Sequence, residues 1–596
     1  MIMNIEELYK LWSEDPYFDE QTRKELLEIR DDKKEIEERF YRDLEFGTAG
    51  LRGILGAGTN RMNMYIVSRA SAGLGKYIVS EGEEAMKRGV VISYDSRHYS
   101  PEFAEITART LTAMGIRVYL SDELRPVPML SYSVRYHKAF AGVMITASHN
   151  PAKYNGYKVY GEDGGQVPPE AASKILSFIE GIEDIRTVKA DSLEDAKAKG
   201  LLTYWGEEVD IAYTDMLDKL VIDRQAILNQ KDMSIVYTPL HGSGNKPVRR
   251  ILEKIGLKNV HIVKEQELPD GSFPTVEVPN PENPAALSMA IDLAKKVDAD
   301  LVIGTDPDSD RIGIAVRTKV DGNETYVPFS GNQVGVMLLD YILDSKKSAG
   351  TLPEGSFAVT TIVSSKLAGA ICKYYGVELQ EVLTGFKFIG ERIKLDDEFG
   401  SKHFQFGFEE SYGYLSGLDV RDKDAVVAAM LIAGMYAQSR ERGQSLTDRL
   451  ESIYERFGYG FEETVSITLE GKEGIEKIAG AMVSLREDLE NCKNIEDAKK
   501  LLSGAPVVAV RDYQKSKRYV FTESGIEVEP IDLPVSNVLL YELGGDKGLD
   551  WACARPSGTE PKLKIYFGIY GNTRQGSSDK LAETKEKVTS SVKAKL

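Results

Sequence analysis

A chain of 596 residues that is 42% hydrophobic, 28% charged and 9% aromatic has the composition of a folded globular protein, long enough for about four domains. Its 75 Lys and Arg against 93 Asp and Glu give a net charge of -18, which argues against a nucleic-acid or anionic-membrane surface but leaves room for a small anionic substrate held by a few converging cations. Cys372, Cys492 and Cys553 are odd in number and far apart, so neither a disulfide framework nor a zinc site is expected.

Met1 to Glu7 lacks the basic and apolar regions of a signal peptide, and a cytoplasmic location is expected. The first forty residues read as a charged surface helix pair, with Leu26, Ile29 and Ile36 as scattered apolar positions. Val90 to Ile92 reads as a strand, and Ser100 with Pro101 predicts the N-cap and first position of a helix that Gly115 ends. Val118 to Leu120 begins the next strand. Further on, Asn283 and Pro284 predict a helix start, with Leu287, Ala290, Ile291 and Ala294 on one side, before a strand at Leu301 to Ile303. Strand, helix, strand in that rhythm implies crossover units and a mixed or parallel sheet, an α/β fold. Ala425 to Ala437 is uncharged, too short to span a bilayer, and predicts a buried helix. The last segment carries a strand at Leu563 to Phe567 and a charged helix from about Ser578. Boundaries near 208, 322 and 450 divide the chain into segments 1–208, 209–322, 323–450 and 451–596.

Several loops carry chemistry. Thr146-Ala147-Ser148-His149-Asn150-Pro151 follows the apolar run Ala141 to Ile145, at the strand end where α/β sheets place ligands. No G-x-S-x-G elbow accompanies it, so a hydrolase dyad does not follow from the adjacent Ser and His. Asp306-Pro307-Asp308-Ser309-Asp310-Arg311 sets carboxylates at alternate positions of a loop, where they can converge on one hard cation. An EF-hand is excluded, because Arg311 stands where Gly is required and Arg317 where a bidentate Glu is required. Mg²⁺ suits so few carboxylates plus a phosphate oxygen. Gly407-Phe408-Glu409-Glu410-Ser411-Tyr412-Gly413 offers a carboxylate and a hydroxyl suited to sugar hydroxyls. Arg555-Pro556-Ser557-Gly558-Thr559-Glu560-Pro561 offers the Arg, hydroxyls and free backbone N–H groups that a phosphate dianion needs. Phe46 to Gly53 is a Gly-rich loop presenting Arg52, and Thr384-Gly385-Phe386-Lys387 presents a Lys.

Together, in this order and with one motif in each segment, these loops resemble the α-D-phosphohexomutase superfamily, and most of all its bacterial α-phosphoglucomutase branch, which is related to the phosphopentomutases. The resemblance implies four domains around a central cleft: three similar α/β domains with mixed sheets and a smaller α+β C-terminal domain. It implies a phosphoryl-carrying Ser148, with Asp306, Asp308 and Asp310 and an oxygen of the phosphorylated Ser148 as Mg²⁺ ligands. Arg311 is implied as a phosphoryl-stabilising group, and Lys158 and Arg52 as acid/base or stabilising groups. Lys158 is the first choice for general base and His149 the second. Glu409 and Ser411 are implied at the sugar hydroxyls, with Thr384, Gly385 and Lys387 lining the substrate and Arg555, Ser557, Gly558 and Thr559 at the distal phosphate. The reaction implied is exchange of glucose 1-phosphate and glucose 6-phosphate through glucose 1,6-bisphosphate, by a monomer or homodimer that acts on small sugar phosphates. The phosphomannomutase/phosphoglucomutase branch tends to carry a His where this chain has Gly413, which lowers the expectation of mannose and leaves a pentose open. A sugar-phosphate phosphatase and a non-catalytic sugar-phosphate sensor are the rival readings.

Overall fold

In the computed structural model, which describes residues 4–47, 50–320, 322–400, 402–469, 471–557 and 562–596, the apolar runs Val90–Tyr94 and Ala141–Ile145 lie side by side in parallel. Both are buried almost throughout, as strands covered by helices on each face must be. They form the centre of a six-stranded sheet in the order Gly50–Ile54, Tyr154–Gly161, Ala141–Ile145, Val90–Tyr94, Val118–Ser121, Leu202–Trp205. Tyr154–Gly161 runs antiparallel to both its neighbours, so the sheet is mixed. A second, five-stranded sheet has the order Asn323–Pro328, Ile312–Val320, Leu301–Thr305, Ile235–Thr238, Val260–Ile262. Ile235–Thr238 pairs in parallel with Leu301–Thr305, whereas Ile312 folds back antiparallel opposite Thr305. The acidic loop is therefore the hairpin turn that joins those last two strands.

Chain contacts divide the protein into two units: Met1–Gly331, Ile389–Phe404 and Ser411–Gly443 form the first, and Asn332–Phe388, Gln405–Glu410 and Gln444–Leu596 the second. Both sheets above belong to the first. So does the helix Ala425–Glu441, buried nearly all round as its uncharged sequence predicts. In the second unit, Ser356–Thr361 pairs in parallel with Glu378–Val382. The C-terminal segment builds a seven-stranded sheet in the order Tyr459–Thr468, Lys562–Gly571, Trp551–Pro556, Leu539–Leu543, Val507–Asp512, Lys517–Phe521, Ile526–Pro530. Its pairings are antiparallel, and the helices Gly471–Glu490 and Arg574–Lys593 accompany it.

Three local expectations are corrected. The N-terminal text forms three helices, Ile5–Glu14, Glu20–Glu28 and Lys33–Phe40, and they are more than surface decoration. Trp12 stacks on Phe18 with ring centroids 4.4 Å apart, and both join Leu26 and Phe40 in the core of the first unit. Ser100 is not a cap: it is the first residue of the helix Ser100–Ala113, and Tyr99 precedes it in a left-handed conformation (φ 63°). The Ser100 hydroxyl donates to Asp95 Oδ1 at 2.8 Å and accepts Asn155 Nδ2 at 3.0 Å, so both its roles are taken by partners away from the helix end. At Asn283 the side chain accepts from Ala285 N at 3.0 Å, which tightens Pro284–Leu287 into a 3₁₀ turn, and the α-helix proper is Ser288–Val297.

Candidate active site

The strand Ala141–Ile145 delivers Ser148 into a buried turn. Thr146 donates its hydroxyl to Asp95 Oδ2 at 2.6 Å and accepts Ser148 N at 2.8 Å. Ser148 adopts φ 52°, a left-handed conformation that costs a non-glycine residue about 1–3 kcal/mol and persists only where neighbours hold it. Its Oγ donates to Asp306 Oδ2 at 2.9 Å and lies 3.2 Å from His149 Nδ1.

Asp306, Asp308 and Asp310 are all buried, and one oxygen from each lies within 4.8 Å of the others. Proline at 307 and the left-handed Ser309 (φ 48°) turn the loop so that alternate side chains point the same way. Backbone contacts pin it from several elements: Val127 N donates to Asp308 O at 3.0 Å, Ser243 N to Pro307 O at 2.8 Å, and Ala425 N to Ser309 O at 3.2 Å. Beside it, the left-handed Tyr412 (φ 64°) accepts Ile312 N at 3.1 Å.

Asp306 Oδ1 accepts the backbone N–H groups of Asp310 and Arg311 at 3.1 and 3.0 Å. Asp308 Oδ1 and Asp310 Oδ1 are buried and accept no hydrogen bond among the described residues. Buried carboxylate oxygens without donors are costly unless a cation meets them, so the residues present fit a hard divalent metal. Burial, reinforced by Asp308 and Asp310, raises the Asp306 carboxyl well above the usual carboxylate range. Burial opposes ionisation of Asp308 too, but Lys158 overrides it and holds that carboxyl below its ordinary value.

Lys158, on the strand Tyr154–Gly161, donates to Asp308 Oδ2 at 2.9 Å and lies 3.8 Å from Asp310. Arg311 lies 3.9 Å from Asp310 and 3.5 Å from Glu282. Arg52 opposes Gly156 in the neighbouring strand and donates to Asn150 Oδ1 at 3.5 Å, which brings it to the Ser148 turn. Ser148, His149, Lys158, Arg52, Arg311 and the acidic triad thus meet in one unit.

A further cation, Lys423, was not read from the sequence. It is buried, 3.0 Å from Asp310 Oδ2, and Asp422 beside it is held by Tyr160 OH at 2.9 Å and Gln166 Nε2 at 2.8 Å. Asp424 then caps the helix Ala425–Glu441 through Val426 N and Val427 N, both at 2.9 Å, and accepts Tyr213 OH. The sequence shows only that Arg421-Asp422-Lys423-Asp424 abuts an apolar helix; nothing in the run marks Lys423 as the charge that reaches the triad. Gly413 has its reason here as well, since a Cβ at that position would lie 2.2 Å from Lys423 Cδ.

In the second unit Glu409 ends the strand His403–Glu409 and accepts Gly385 N at 2.7 Å, joining the sugar-loop and Thr384–Lys387 motifs. Gly385 has φ 125°, open to glycine, and Thr384 Oγ1 is buried without a hydrogen-bond partner among the described residues. Lys387 Nζ lies 5.0 Å from the Phe388 ring. Glu410 accepts Thr361 Oγ1 at 3.1 Å, and burial beside Glu409 pushes its carboxyl up to about 7. Arg555, opposite Lys564 in the C-terminal sheet, donates to Tyr566 OH at 3.4 Å, and Ser557 N donates to Lys562 O at 2.7 Å. Ser411 belongs to the first unit. Gly558 and Thr559 lie outside the described residues.

Residues 43–186, 212–321 and 330–457 match, in that order, the phosphoglucomutase/phosphomannomutase alpha/beta/alpha domains I, II and III. A phosphoglucomutase of Staphylococcus epidermidis is 38% identical over 540 residues, covering 90% of this chain and 92% of that protein. The chain belongs to the phosphoglucomutase/phosphomannomutase family. A Staphylococcus aureus phosphoglucomutase is 37% identical over 542 residues, with 90% and 92% covered. Among solved structures, the phosphoglucomutase parafusin of Paramecium superposes with a TM-score of 0.63 at 17% identity, covering 93% of this chain and 94% of that one. A phosphoglucomutase/phosphomannomutase family protein of Burkholderia thailandensis gives 0.60 at 17%, covering 92% and 97%. At such identities the likeness speaks for the fold.

Within this metal-dependent family, Ser148 and Lys158 fall in domain I, the acidic triad in domain II, and Glu409 and Lys423 in domain III. Among the described residues, the triad is the one acidic, His or Cys cluster arranged to hold a metal ion, and no helix is long and apolar enough to cross a membrane.

Proposed function

We propose that this protein is a phosphoglucomutase that interconverts glucose 1-phosphate and glucose 6-phosphate through a phosphorylated Ser148 and bound glucose 1,6-bisphosphate. The observation that carries the reading is the Ser148 hydroxyl, 2.9 Å from Asp306 at the edge of a buried carboxylate triad flanked by lysines. A phosphatase would share these groups, but kinship with phosphoglucomutases along most of the chain favours the mutase.

Asp306, Asp308 and Asp310, with an oxygen of the phosphorylated Ser148, would hold Mg²⁺, which supplies positive charge for the transferring phosphoryl group. The chain adds charge of its own: Lys423 and Arg311 beside Asp310, and Arg52 beside the Ser148 turn, compensate developing negative charge without reorganising. Phospho-Ser148 gives its phosphoryl group to the free hydroxyl of the bound monophosphate. The bisphosphate so formed reverses its orientation and returns its other phosphoryl group to Ser148. Lys158 is the first candidate to take the sugar hydroxyl proton, and His149 the second. Glu409 and Ser411 would bond sugar hydroxyls that nearly coincide in the two orientations, with Thr384, Gly385 and Lys387 lining the substrate. Arg555, Ser557, Gly558 and Thr559 would hold whichever phosphate is not reacting.

³¹P NMR of the protein with Mg²⁺ and glucose 1-phosphate tests the reading. The glucose 6-phosphate signal should grow, faster with trace glucose 1,6-bisphosphate and without inorganic phosphate. Release of inorganic phosphate would mean a phosphatase, and turnover of ribose 1-phosphate or mannose 1-phosphate in place of glucose 1-phosphate would move the assignment to a sibling mutase. For Arg555→Ala, loss of a charge-assisted phosphate contact should raise KM about 10- to 100-fold with metal affinity unchanged. An unaltered KM would remove Arg555 from the phosphate site.

A further inference from the structure

The Ser148 turn wraps around a side chain that the mechanism does not use. Arg97 is fully buried, and its guanidinium donates to four backbone carbonyls of one loop. Nη1 reaches Pro151 O and Tyr154 O, both at 3.0 Å, and Nη2 reaches Ser148 O and Asn150 O. Of the five N–H groups of an arginine, only that of Nε is left, and it faces Asp95 Oδ2 at 3.4 Å. Asp95 fixes the same segment from behind, accepting Arg97 N at 2.9 Å and the Thr146 hydroxyl at 2.6 Å.

We propose that Arg97 is the positioning residue that shapes the Ser148 turn, and that the Asp270–Phe273 segment of domain II locks it in place. A loop whose carbonyls converge inward on one cation presents its side chains outward, and this turn presents the Ser148 hydroxyl to Asp306. The left-handed backbone at Ser148 needs such over-determination to persist. Over the guanidinium lies the Phe273 ring, with Cζ 5.0 Å from its centroid. Gly271 seals the contact, because a Cβ there would stand 2.4 Å from His98 N and 2.9 Å from Arg97 C. The His98 ring meets Ser272 Oγ at 2.9 Å. The domain that carries the acidic triad therefore also clamps the segment that holds the serine opposite it. A lysine cannot replace Arg97: it has the charge, but a single nitrogen cannot serve carbonyls spread along the loop.

The assignment rests on Ser148 as phosphoryl carrier, so Ser148→Ala is measured alongside. Arg97→Lys should fold, keep KM for glucose 1-phosphate near wild type and lose on the order of 10²-fold in kcat, the penalty for a displaced reacting group. Arg97→Ala should lose as much and recover part of its kcat when guanidinium, but not ammonium, is added. Phe273→Leu, which leaves every loop hydrogen bond available, should lower kcat several-fold at constant KM. Wild-type kcat in Arg97→Lys, or a folded Arg97→Ala that guanidinium does not rescue, overturns the clamp. If the Arg97 variants do not fold, Phe273→Leu decides, and an unchanged kcat there overturns it. Full turnover by Ser148→Ala would instead remove the phosphoserine reading beneath it.

Discussion

Ser148→Ala should lower turnover by about 10⁴- to 10⁶-fold, the range that removal of a covalent nucleophile costs. The reading requires the Ser148 hydroxyl itself to hold the phosphoryl group between half-reactions. The His149 ring, 3.2 Å from it, is a nucleophile in its own right, and phosphorylation of the variant would reveal it as the carrier. The fold should survive, because alanine loses two hydrogen bonds, to Asp306 and His149, each worth about 1 kcal/mol, and keeps the same backbone demand. The decisive readout is joint: kinetics with saturating glucose 1,6-bisphosphate, and intact mass after incubation with it. Wild type should gain one phosphoryl group and the variant none. A variant that keeps full activity would place the carrier elsewhere.

Asp306→Asn should separate metal binding from folding. The amide retains a carbonyl oxygen for the N–H groups of Asp310 and Arg311 and offers an N–H toward the Ser148 hydroxyl, so the local hydrogen bonds survive. It also replaces a carboxyl whose ionisation burial and the two neighbouring acids oppose, their ligand atoms lying within 4.8 Å of one another, by a group that carries no charge. Without metal the variant should therefore melt at or above the wild-type temperature. Added Mg²⁺ should raise the wild-type melting temperature, since a ligand of the native state stabilises it by mass action, and should leave the variant unmoved. Turnover should fall on the order of 10³-fold, as for loss of the main charge stabilisation at a transferring group. An equal Mg²⁺-induced rise in both proteins would take Asp306 out of the metal site.

What could be read in advance, and what could not, follows from how far each role reaches along the chain. Ser148 and the acidic triad announce themselves because strand, turn and reactive side chain are contiguous, and alternate spacing within one loop is itself the geometry of a cation site. Arg97, Asp95 and Lys423 do not, because their roles exist only once distant segments meet. Arg97 reads as an ordinary loop charge until the carbonyls of residues 148 to 154 close around it. Ser100 shows the converse: a local rule makes it a cap, but Asn155 Nδ2, which reaches it only in the fold, occupies its oxygen while its proton goes to Asp95. The expected buried helix at 425 was legible because Ala425 to Ala437 carries no charge, yet that the residue two before its start meets Asp310 follows only from the fold.

Ser148, Ser309 and Tyr412 are non-glycine residues in left-handed backbone, each in a loop that the proposed reaction uses. Ser309 adds a buried hydroxyl without a hydrogen-bond partner among the described residues. Heat resistance and turnover consequently pull against each other at these positions. A library selected only for survival at high temperature has an easy route through glycine at 309, where relief of backbone strain and loss of an orphaned hydroxyl both favour the folded state. Each step along that route slackens the turn that aims the carboxylates. Redesign of this enzyme for industrial temperatures should therefore hold these loops fixed and seek its gains far from them, for instance on the exposed faces of the C-terminal helices.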